Sequence, residues 1–371
     1  MVEIGVVVGT RPEVIKLLPI INLLKGAQIG FRLISTGQQR DLLIKTFAEF
    51  NLVPEIDFNL MKEDQTPSRF FQSAHSSFDL LFQSYRPDWL IVHGDTTTAA
   101  AGAVAGFLNN IPIAHVEAGL RSGNTHSPFP EEVNRRIIDS VSSLHFAPSV
   151  IAERNLSIEG HGETIVLSGN TILDSIELVL NEEKAIPDQI DKFIKLDRYI
   201  FITQHRRENF ETALPMVIGL VSRLSRDDNY RFVWPVHPNP NVKNRVEKSL
   251  GGRPNVLLVG PQDYFATLSL IQNAAMIITD SGGIQEEGAI LGVPMAITRS
   301  ETERSEVLKL DNVLLVGDNE IALNNFILDN YFSTKKNEAF SFTDYGSRGL
   351  SSLIVKELIS RRGLGQKNNV G

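Results

Sequence analysis

The sequence contains no cysteine, which excludes disulfide bonds, thiolate metal sites and a cysteine nucleophile. It has no excess of positive charge either, since 36 basic residues against 44 acidic ones leave a formal net charge of −8. That balance argues against a nucleic-acid-binding surface, so an anionic ligand must be held by local cations and helix amino ends. Histidine spacing of the HExxH kind is also absent, and the sequence gives no support for a catalytic metal.

Long apolar runs are missing as well. None approaches the roughly 20 residues needed to span a bilayer. The amino terminus, MVEIGVVVGTRPEVIK, lacks the basic start, apolar stretch and cleavage site of a signal peptide. Together with the lack of cysteine, which fits a reducing compartment, these absences predict a cytoplasmic protein with no membrane insertion.

Short β-rich apolar runs alternate with helical patterns along the whole chain, which is typical of parallel α/β proteins. In the first half, the predicted strands are Ile4–Val8, Phe31–Ser35, Trp89–His93, Ile113–Glu117 and His145–Ala147. The helices between them are predicted at Pro12–Lys25, Ser68–Tyr85, Thr96–Leu108 and Glu131–Ser142. In the second half, strands are predicted at Tyr199–Thr203, Phe232–Val236, Val256–Val259, Met276–Thr279, Met295–Thr298 and Val313–Val316.

A chain of 371 residues is long enough for two domains that each bury a core. We predict an N-terminal domain at residues 1–170 and a C-terminal domain at residues 171–346, with the polar stretch Asn181–Asp197 near their join. The C-terminal helix within residues 347–371 is expected to pack back on the first domain. Both domains are predicted to be doubly wound and Rossmann-like, with a ligand in the cleft between them.

Three acids are placed where a parallel sheet binds ligands, at the carboxyl ends of its strands. Asp95 and Glu117 follow two successive strands, and Glu131 opens the next helix. Simpler roles remain open, because Asp95 could cap a helix and Glu131 could complement a helix dipole. Glu117, however, ends a buried run, where an acid without a purpose is costly. We therefore predict proton chemistry at this edge.

Two segments predict anion sites. In the first, Gly9 permits a tight turn and Pro12 suits the first turn of a helix, whose amino end would bind an anion beside Arg11 and Lys16. In the second, a strand is followed by Ser281-Gly282-Gly283 and a helix, which lets backbone N–H groups approach phosphate oxygens. Glu287 would then face a ribose diol. The alternatives are solvated cations at the first segment and an ordinary turn at the second.

Two histidines also follow strands of the second half, at His205, next to Arg206 and Arg207, and at His237. A single histidine in such a place is usually structural, but the two arginines beside His205 favour a phosphate-facing role. The other histidines considered are assigned to packing or local hydrogen bonds, namely His93, His115, His126 and His145.

At these residues the chain resembles the non-hydrolysing UDP-N-acetylglucosamine 2-epimerases over nearly its whole length. The first shared motifs are GTRPEVIK at Gly9–Lys16, TGQQR at Thr36–Arg40, HGDTTT at His93–Thr98, HVEAGLRSG at His115–Gly123 and SPFPEEVNRR at Ser127–Arg136. The others are GNTILD at Gly169–Asp174, HRREN at His205–Asn209, SGGIQEE at Ser281–Glu287 and TER at Thr302–Arg304.

The resemblance implies the two-domain glycosyltransferase-B architecture, a homodimer, and interconversion of UDP-GlcNAc and UDP-ManNAc without a metal or other cofactor. It implies a catalytic set made of Asp95, Glu117, Glu131 and His205. Residues assigned to binding UDP and the sugar are Arg11, Lys16, Gln38, Arg135, Arg206, His237, Phe265, Ser281, Gly282, Gly283, Glu287 and Arg304.

The expected chemistry is elimination of UDP as C2 loses its proton, giving 2-acetamidoglucal, followed by re-addition with the proton on the other face. The product would serve cell-surface polysaccharide synthesis. Competing interpretations are a glycosyltransferase of the same architecture, a hydrolysing epimerase, an epimerase for a modified UDP-HexNAc and a non-catalytic sensor. The segment Gln38-Gln39-Arg40 departs from the Gln-His-Arg of members that a second substrate molecule activates. The segment Met61–Phe71 also departs from the usual form. Activation by a second substrate molecule is therefore not predicted.

Overall fold

The structure, a computed structural model, describes residues 2–126, 128–182, 184, 186–302, 304, 306–333 and 349–362. The chain divides into two compact units, the first made of residues 1–178 with 342–371 and the second of residues 179–341. Within the described ranges, none of the helices has both the length and the apolar character that crossing a membrane requires.

The first unit is built from seven strands and the helices that connect them. Its strands are β1 (Glu3–Val8), β2 (Gly30–Ser35), β3 (Ile56–Asp57), β4 (Trp89–His93), β5 (Ile113–Val116), β6 (Leu144–Ala147) and β7 (Ile165–Leu167). The helices up to the boundary are α1 (Arg11–Gly26), α2 (Arg40–Glu49), α3 (Pro67–Phe82), α4 (Thr97–Leu108), α5 (Glu131–Val141), α6 (Val150–Ile158) and α7 (Ile172–Leu180).

The second unit contains a sheet of six strands. They are β8 (Ile200–Thr203), β9 (Phe232–Pro235), β10 (Val256–Val259), β11 (Met276–Thr279), β12 (Met295–Ile297) and β13 (Val313–Leu315). Its helices are α8 (Asp188–Ile194), α9 (Ala213–Leu224), α10 (Pro240–Leu250), α11 (Tyr264–Gln272), α12 (Gly282–Ile290) and α13 (Glu320–Asn330). The last described helix, α14 (Leu350–Ser360), belongs to the first unit.

Both sheets are parallel and share one winding order. The first runs β3-β2-β1-β4-β5-β6-β7 and the second β10-β9-β8-β11-β12-β13. The chain therefore winds outward in one direction from β1 or β8 and in the other direction from β4 or β11. This confirms the predicted class of two doubly wound, Rossmann-like α/β domains.

Successive side chains of the central strands point to opposite faces of the first sheet, and helices cover both faces. Ile4 and Val6 of β1 pack into a core with α1 and α14, whereas Val7 packs into a core with α3 and α4. The residues of α4 that meet the sheet are small, and a Cβ added at Gly106 would lie 2.6 Å from the side chain of Ile113. Small residues let α4 lie directly against the strands that end at the candidate site.

The helix α14 closes the first core. Ile354 and Leu358 are fully buried beside α1, and each such side chain contributes about 2 kcal/mol of hydrophobic stabilisation. The indole N–H of Trp89 donates to the carbonyl oxygen of Leu358 at 2.9 Å. Asp174 accepts from the backbone N–H groups of Gly349 and Ser351, which fixes the start of the helix.

Candidate functional site

In the first unit, the winding direction changes between β1 and β4, and ligands of such sheets bind at the carboxyl ends on either side of this switch point. Gly9, directly after β1, lies so close to neighbouring side chains that a Cβ would overlap the hydroxyls of Thr98 and Thr36. Only glycine fits there. The backbone of this turn can therefore approach the end of β4, where Asp95 lies.

Asp95 is fixed by α5. Its carboxylate accepts from Nε and Nη2 of Arg135 at 2.9 and 2.6 Å, and its backbone carbonyl accepts from the side-chain amide of Asn134 at 2.9 Å. The capping role is filled by Thr96, whose hydroxyl accepts from the N–H of Ala99. The simpler interpretation of Asp95 as a helix cap is therefore wrong.

Glu117 follows β5 in a left-handed backbone conformation, with φ of 67°, which is strained for a residue with a side chain. Its buried carboxylate forms a short ion pair with Lys16 of α1, and Nε2 of His93 lies 3.5 Å away. Lys16, predicted to bind a phosphate, is buried against an acid in this structure. His93, for which packing or a local hydrogen bond is predicted, lies beside the same carboxylate. A buried pair of this kind keeps the charge of the acid compensated.

Glu131 is the first residue of α5, as predicted, and one of its carboxylate oxygens is buried. The next residue, Glu132, is fully buried and was not singled out from the sequence. It accepts from the backbone N–H of Ser122 and from both Arg135 and Arg136. Burial alone would raise the pKa of Glu132, but these donors outweigh it and lower the pKa. Glu132 therefore holds the arginine that binds Asp95.

Glu13 is a second buried acid that the sequence analysis missed. It accepts at Oε2 from the N–H groups of Gly9 and Thr10 and from the Thr10 hydroxyl, and at Oε1 from the hydroxyl of Thr96 at 2.6 Å. Burial raises its pKa to about 7, against the opposing effect of these donors. Glu13 joins the turn after β1 to the turn after β4, which carries Asp95.

The predicted ligands near the start of α1 make protein contacts. Gln38 accepts from the N–H and the hydroxyl of Thr98 at 3.1 and 2.8 Å. The backbone N–H of Arg11 donates to the side chain of Gln39. These bonds attach the segment after β2 to the helices that begin at the switch point.

In the second unit, the switch point lies between β8 and β11, and the structure brings His205 to it. Nδ1 of His205 lies 2.9 Å from Oδ1 of Asp280, the residue that follows β11. Asp280 is fully buried and also accepts from the backbone N–H groups of His205 and Arg206 and from the side chain of Asn209. Burial would raise its pKa, but the bonds and charge of His205 and the other donors lower it. No role for Asp280 is predicted from the sequence.

His237 lies beside His205, with ring centroids 6.2 Å apart and nearly parallel planes. Burial, and next the charge of His205, lower the pKa of His237. Its Nδ1 accepts from the N–H of Asn239, which leaves Nε2 as the donor of a neutral ring. The two histidines thus follow neighbouring strands, β8 and β9, as predicted.

The Ser-Gly-Gly segment opens α12 as expected. Ser281 is the residue before the helix, and a Cβ added at Gly283 would meet nothing within 4 Å. Glu287 lies buried on the helix, and Phe265 is buried on α11. Arg304 pairs with Glu286, with Nε 2.7 Å from Oε1, so in this structure its contact is with α12. Arg206 lies 3.7 Å from Glu208.

Doubly wound parallel sheets bind ligands, nucleotides among them, at the switch points where these residues lie. Residues 22–357 match the family model for UDP-N-acetylglucosamine 2-epimerase. The chain belongs to this family, whose members are isomerases. The family proposed from the motifs is thereby confirmed.

Related proteins are similar to this chain over nearly its whole length. UDP-N-acetylglucosamine 2-epimerase of Bacillus subtilis (strain 168) is 36% identical over 369 residues, covering 97% of this chain and 96% of that protein. The crystal structure of the Neisseria meningitidis UDP-GlcNAc 2-epimerase bound to UDP-GlcNAc has a TM-score of 0.86 at 33% identity, covering 96% of this chain and 100% of that one. The Methanocaldococcus jannaschii enzyme, in complex with UDP-GlcNAc and UDP, has a TM-score of 0.83 at 30% identity, with coverage of 96% and 99%.

Proposed function

We propose that this protein catalyses the reversible epimerisation of UDP-GlcNAc at C2 to give UDP-ManNAc. The observation that carries the proposal is the arrangement of the acids in the first unit. Asp95 and Glu117 follow neighbouring strands, and each is paired with a cation, Arg135 or Lys16. Glu131 opens the helix that carries Arg135. Acids held so close to one sheet edge suit proton transfer at a single carbon.

The proposed route begins with elimination. In UDP-α-GlcNAc the C1–O and C2–H bonds are trans-diaxial, which favours anti elimination. A carboxylate takes the C2 proton, the C1–O bond breaks with its electron pair going to UDP, and 2-acetamidoglucal forms. Re-addition of UDP to C1, with a proton delivered to the opposite face of C2, completes the epimerisation. The route requires neither a metal nor a nicotinamide.

In this route, Asp95 and Glu131 exchange the C2 proton on the two faces of the sugar ring, and Glu117 with Lys16 tunes the field around them. The departing diphosphate is bound by His205, held by Asp280, and by the N–H groups at the start of α12. Glu287 binds the ribose. The binding set also includes Arg11, Gln38, Arg206, His237, Phe265 and Arg304.

The decisive experiment is incubation of the purified protein with UDP-GlcNAc in deuterated water, followed by proton NMR. We expect two UDP-sugars in a constant ratio, both carrying deuterium at C2, with no accumulation of free sugar. Net release of ManNAc and UDP would instead indicate a hydrolysing epimerase. Consumption that depends on an added acceptor would indicate a glycosyltransferase, and binding without exchange would indicate a sensor.

We further propose that the protein works in the cytoplasm as a homodimer and supplies a precursor for cell-surface polysaccharide. The motifs shared with the family support this setting. Light scattering of the purified protein tests the dimer, since a monomer mass of 41.2 kDa would contradict it. Repeating the NMR experiment with UDP-HexNAc analogues changed at the acyl group tests whether a modified sugar is the preferred substrate.

A further inference from the structure

One buried histidine is bonded to the elements that carry the candidate acids. His115 lies on β5, two residues before Glu117, and its side chain is fully buried. Its Nε2 lies 2.7 Å from the carbonyl oxygen of Gly94, the residue before Asp95. Its Nδ1 lies 2.6 Å from Oδ1 of Asp139 on α5, the helix that begins with Glu131. His115 thus connects the ends of β4, β5 and α5.

These contacts exclude a role for His115 as an acid or base toward the substrate. A backbone carbonyl only accepts, so Nε2 donates to Gly94. Asp139 is held as a carboxylate, because its contacts with His115 and Arg121 outweigh burial and lower its pKa, so Nδ1 donates as well. A catalytic histidine in a triad keeps one ring nitrogen for the reacting group. Both ring nitrogens of His115 face the protein.

Asp139 is itself held from a third direction. Its Oδ2 accepts from Nη2 of Arg121 at 2.6 Å, and Arg121, four residues after Glu117, also binds Glu159. The carbonyl of Asp139 lies 2.9 Å from Nε2 of His145, and burial lowers the pKa of that ring to about 4. Asp139 and Arg121 have side chains at most 8% exposed. Charges that alternate in a buried cluster resist displacement, since moving one uncovers another.

We infer that His115 and Asp139 form a positioning pair for the reaction, fixing the Gly94–Asp95 turn relative to β5 and α5. The inference rests on the proposed function, because it takes Asp95 as a proton-transfer residue. Gly94 adopts a left-handed conformation, with φ of 64°, and a bond to its carbonyl sets the direction in which the chain enters Asp95. Asn134 and Arg135 hold Asp95 itself.

Two substitutions separate the two bonds of His115. In His115→Gln, the side-chain amide nitrogen can stand near the position of Nε2 and donate to Gly94. In His115→Asn, it stands near the position of Nδ1 and reaches only Asp139. We expect His115→Asn to lower kcat about 10²-fold, a loss that a displacement of a reacting group by about 1 Å can cause. We expect His115→Gln to stay within about tenfold of the wild-type kcat.

The measurements are kcat and KM for deuterium exchange at C2, the Kd for UDP by calorimetry, and the thermal midpoint. A positioning role predicts KM and Kd within about threefold of wild type while kcat falls. Equal kcat values for the two variants, or a kcat per folded molecule equal to that of wild type, would overturn the inference. If His115→Asn does not fold, Asp139→Asn tests the other bond of the pair, because it leaves His115 in contact with Gly94. Its kcat is expected to fall by less than about tenfold with the UDP Kd retained. An unchanged kcat, or a fall of about 10²-fold, would overturn the inference.

Two controls complete the design. His75→Asn changes a histidine on α3 that stacks on Phe71, and its kcat should equal the wild-type value. The wild-type protein decides the proposed function separately, because no deuterium exchange in it would refute epimerisation itself. Exchange by wild type together with undiminished exchange by both His115 variants would refute only the positioning pair.

Discussion

The two units share one strand order, yet different residues stand at their switch points. In the first unit, the ends of β4 and β5 carry Asp95 and Glu117, each paired with a cation from a neighbouring helix. In the second, the ends of β8 and β11 carry His205 and Asp280, followed by the Ser-Gly-Gly start of α12. Topology thus fixes where each switch point lies, and residue type determines which chemical groups stand there.

The difference is also one of charge compensation. Asp280 accepts from donors of its own unit, including two backbone N–H groups and the ring of His205, so it orders a loop. Among the described residues, the carboxylate of Asp95 is bound by one side chain, that of Arg135, which also binds Glu132. The Asp95 side chain is 26% exposed, whereas that of Asp280 is fully buried, so a ligand can reach Asp95 directly. We therefore expect chemistry in the first unit and nucleotide binding in the second.

The largest effect is expected for Asp95→Asn. The amide cannot take a proton from C2, so kcat should fall by about 10³-fold or more. UDP affinity should stay within about threefold of wild type, because the groups assigned to the diphosphate lie in the second unit. Deuterium exchange and calorimetry with UDP measure the two quantities.

A matched control is Asp188→Asn, the same change at an exposed position on α8, which should leave both quantities unchanged. If Asp95→Asn lost UDP affinity in proportion to kcat, the division of labour between the units would be wrong. Asp95 would then be a residue that shapes the nucleotide site.

Sequence patterns predicted the parts of the fold that local chemistry determines. The predicted strand Ile4–Val8 is observed as Glu3–Val8, and the predicted start of a helix at Glu131 is observed. Strands β3 and β7 were missed because they are short strands at the two edges of the first sheet and contain no fully buried residue. The helix α8 lies in the polar stretch interpreted as a join, because it buries only Ile190 and so carries little apolar periodicity.

The residues of the candidate site were likewise predicted only in part. Asp95, Glu117 and His205 were found because each follows a strand, and position after a strand is visible in the sequence. Glu13 and Asp280 were missed as functional because their roles depend on contacts with residues distant in sequence, namely Thr96 and the His205–Arg206 segment. Asp280 also directly follows β11, so its position was visible in the sequence. Glu132 directly follows Glu131 in the motif SPFPEEVNRR, so its position was visible in the sequence. Thr10 and Glu13 have the spacing of a capping box, which marks a helix start, but this local pattern does not indicate the bond from Thr96 to Glu13.

Glu13→Gln tests whether the carboxyl group of Glu13 holds a proton in the folded protein near neutral pH. Folding raises the pKa of this carboxyl from 4.5 to about 7, so the folded state binds the proton more tightly than the unfolded state. The free energy of unfolding should therefore fall as pH rises from 4.5 to about 7, by about 3 kcal/mol. Glutamine cannot titrate, and its amide can donate to the Thr96 hydroxyl while its oxygen accepts from Gly9 and Thr10.

Urea unfolding of both proteins at pH 4.5 and pH 8 measures this contribution. The stability of wild type relative to Glu13→Gln should decrease by about 3 kcal/mol between the two values. Glu63→Gln, the same change at an exposed position, should show little of this dependence. Parallel stability curves for wild type and Glu13→Gln would mean that Glu13 is ionised in the fold throughout.

The smallest effect is expected in the second unit, for Asp280→Asn. The amide group that replaces one carboxylate oxygen is a donor, and it faces the N–H groups and the side chain that Asp280 now accepts from. The loop carrying His205 and Arg206 should loosen, raising the Kd for UDP about tenfold, the equivalent of one charged hydrogen bond. Asp227→Asn, the same change on the surface of this unit, should leave the Kd unchanged. A loss of kcat with UDP affinity intact would place proton chemistry in the second unit too, and the contrast between the two switch points would no longer hold.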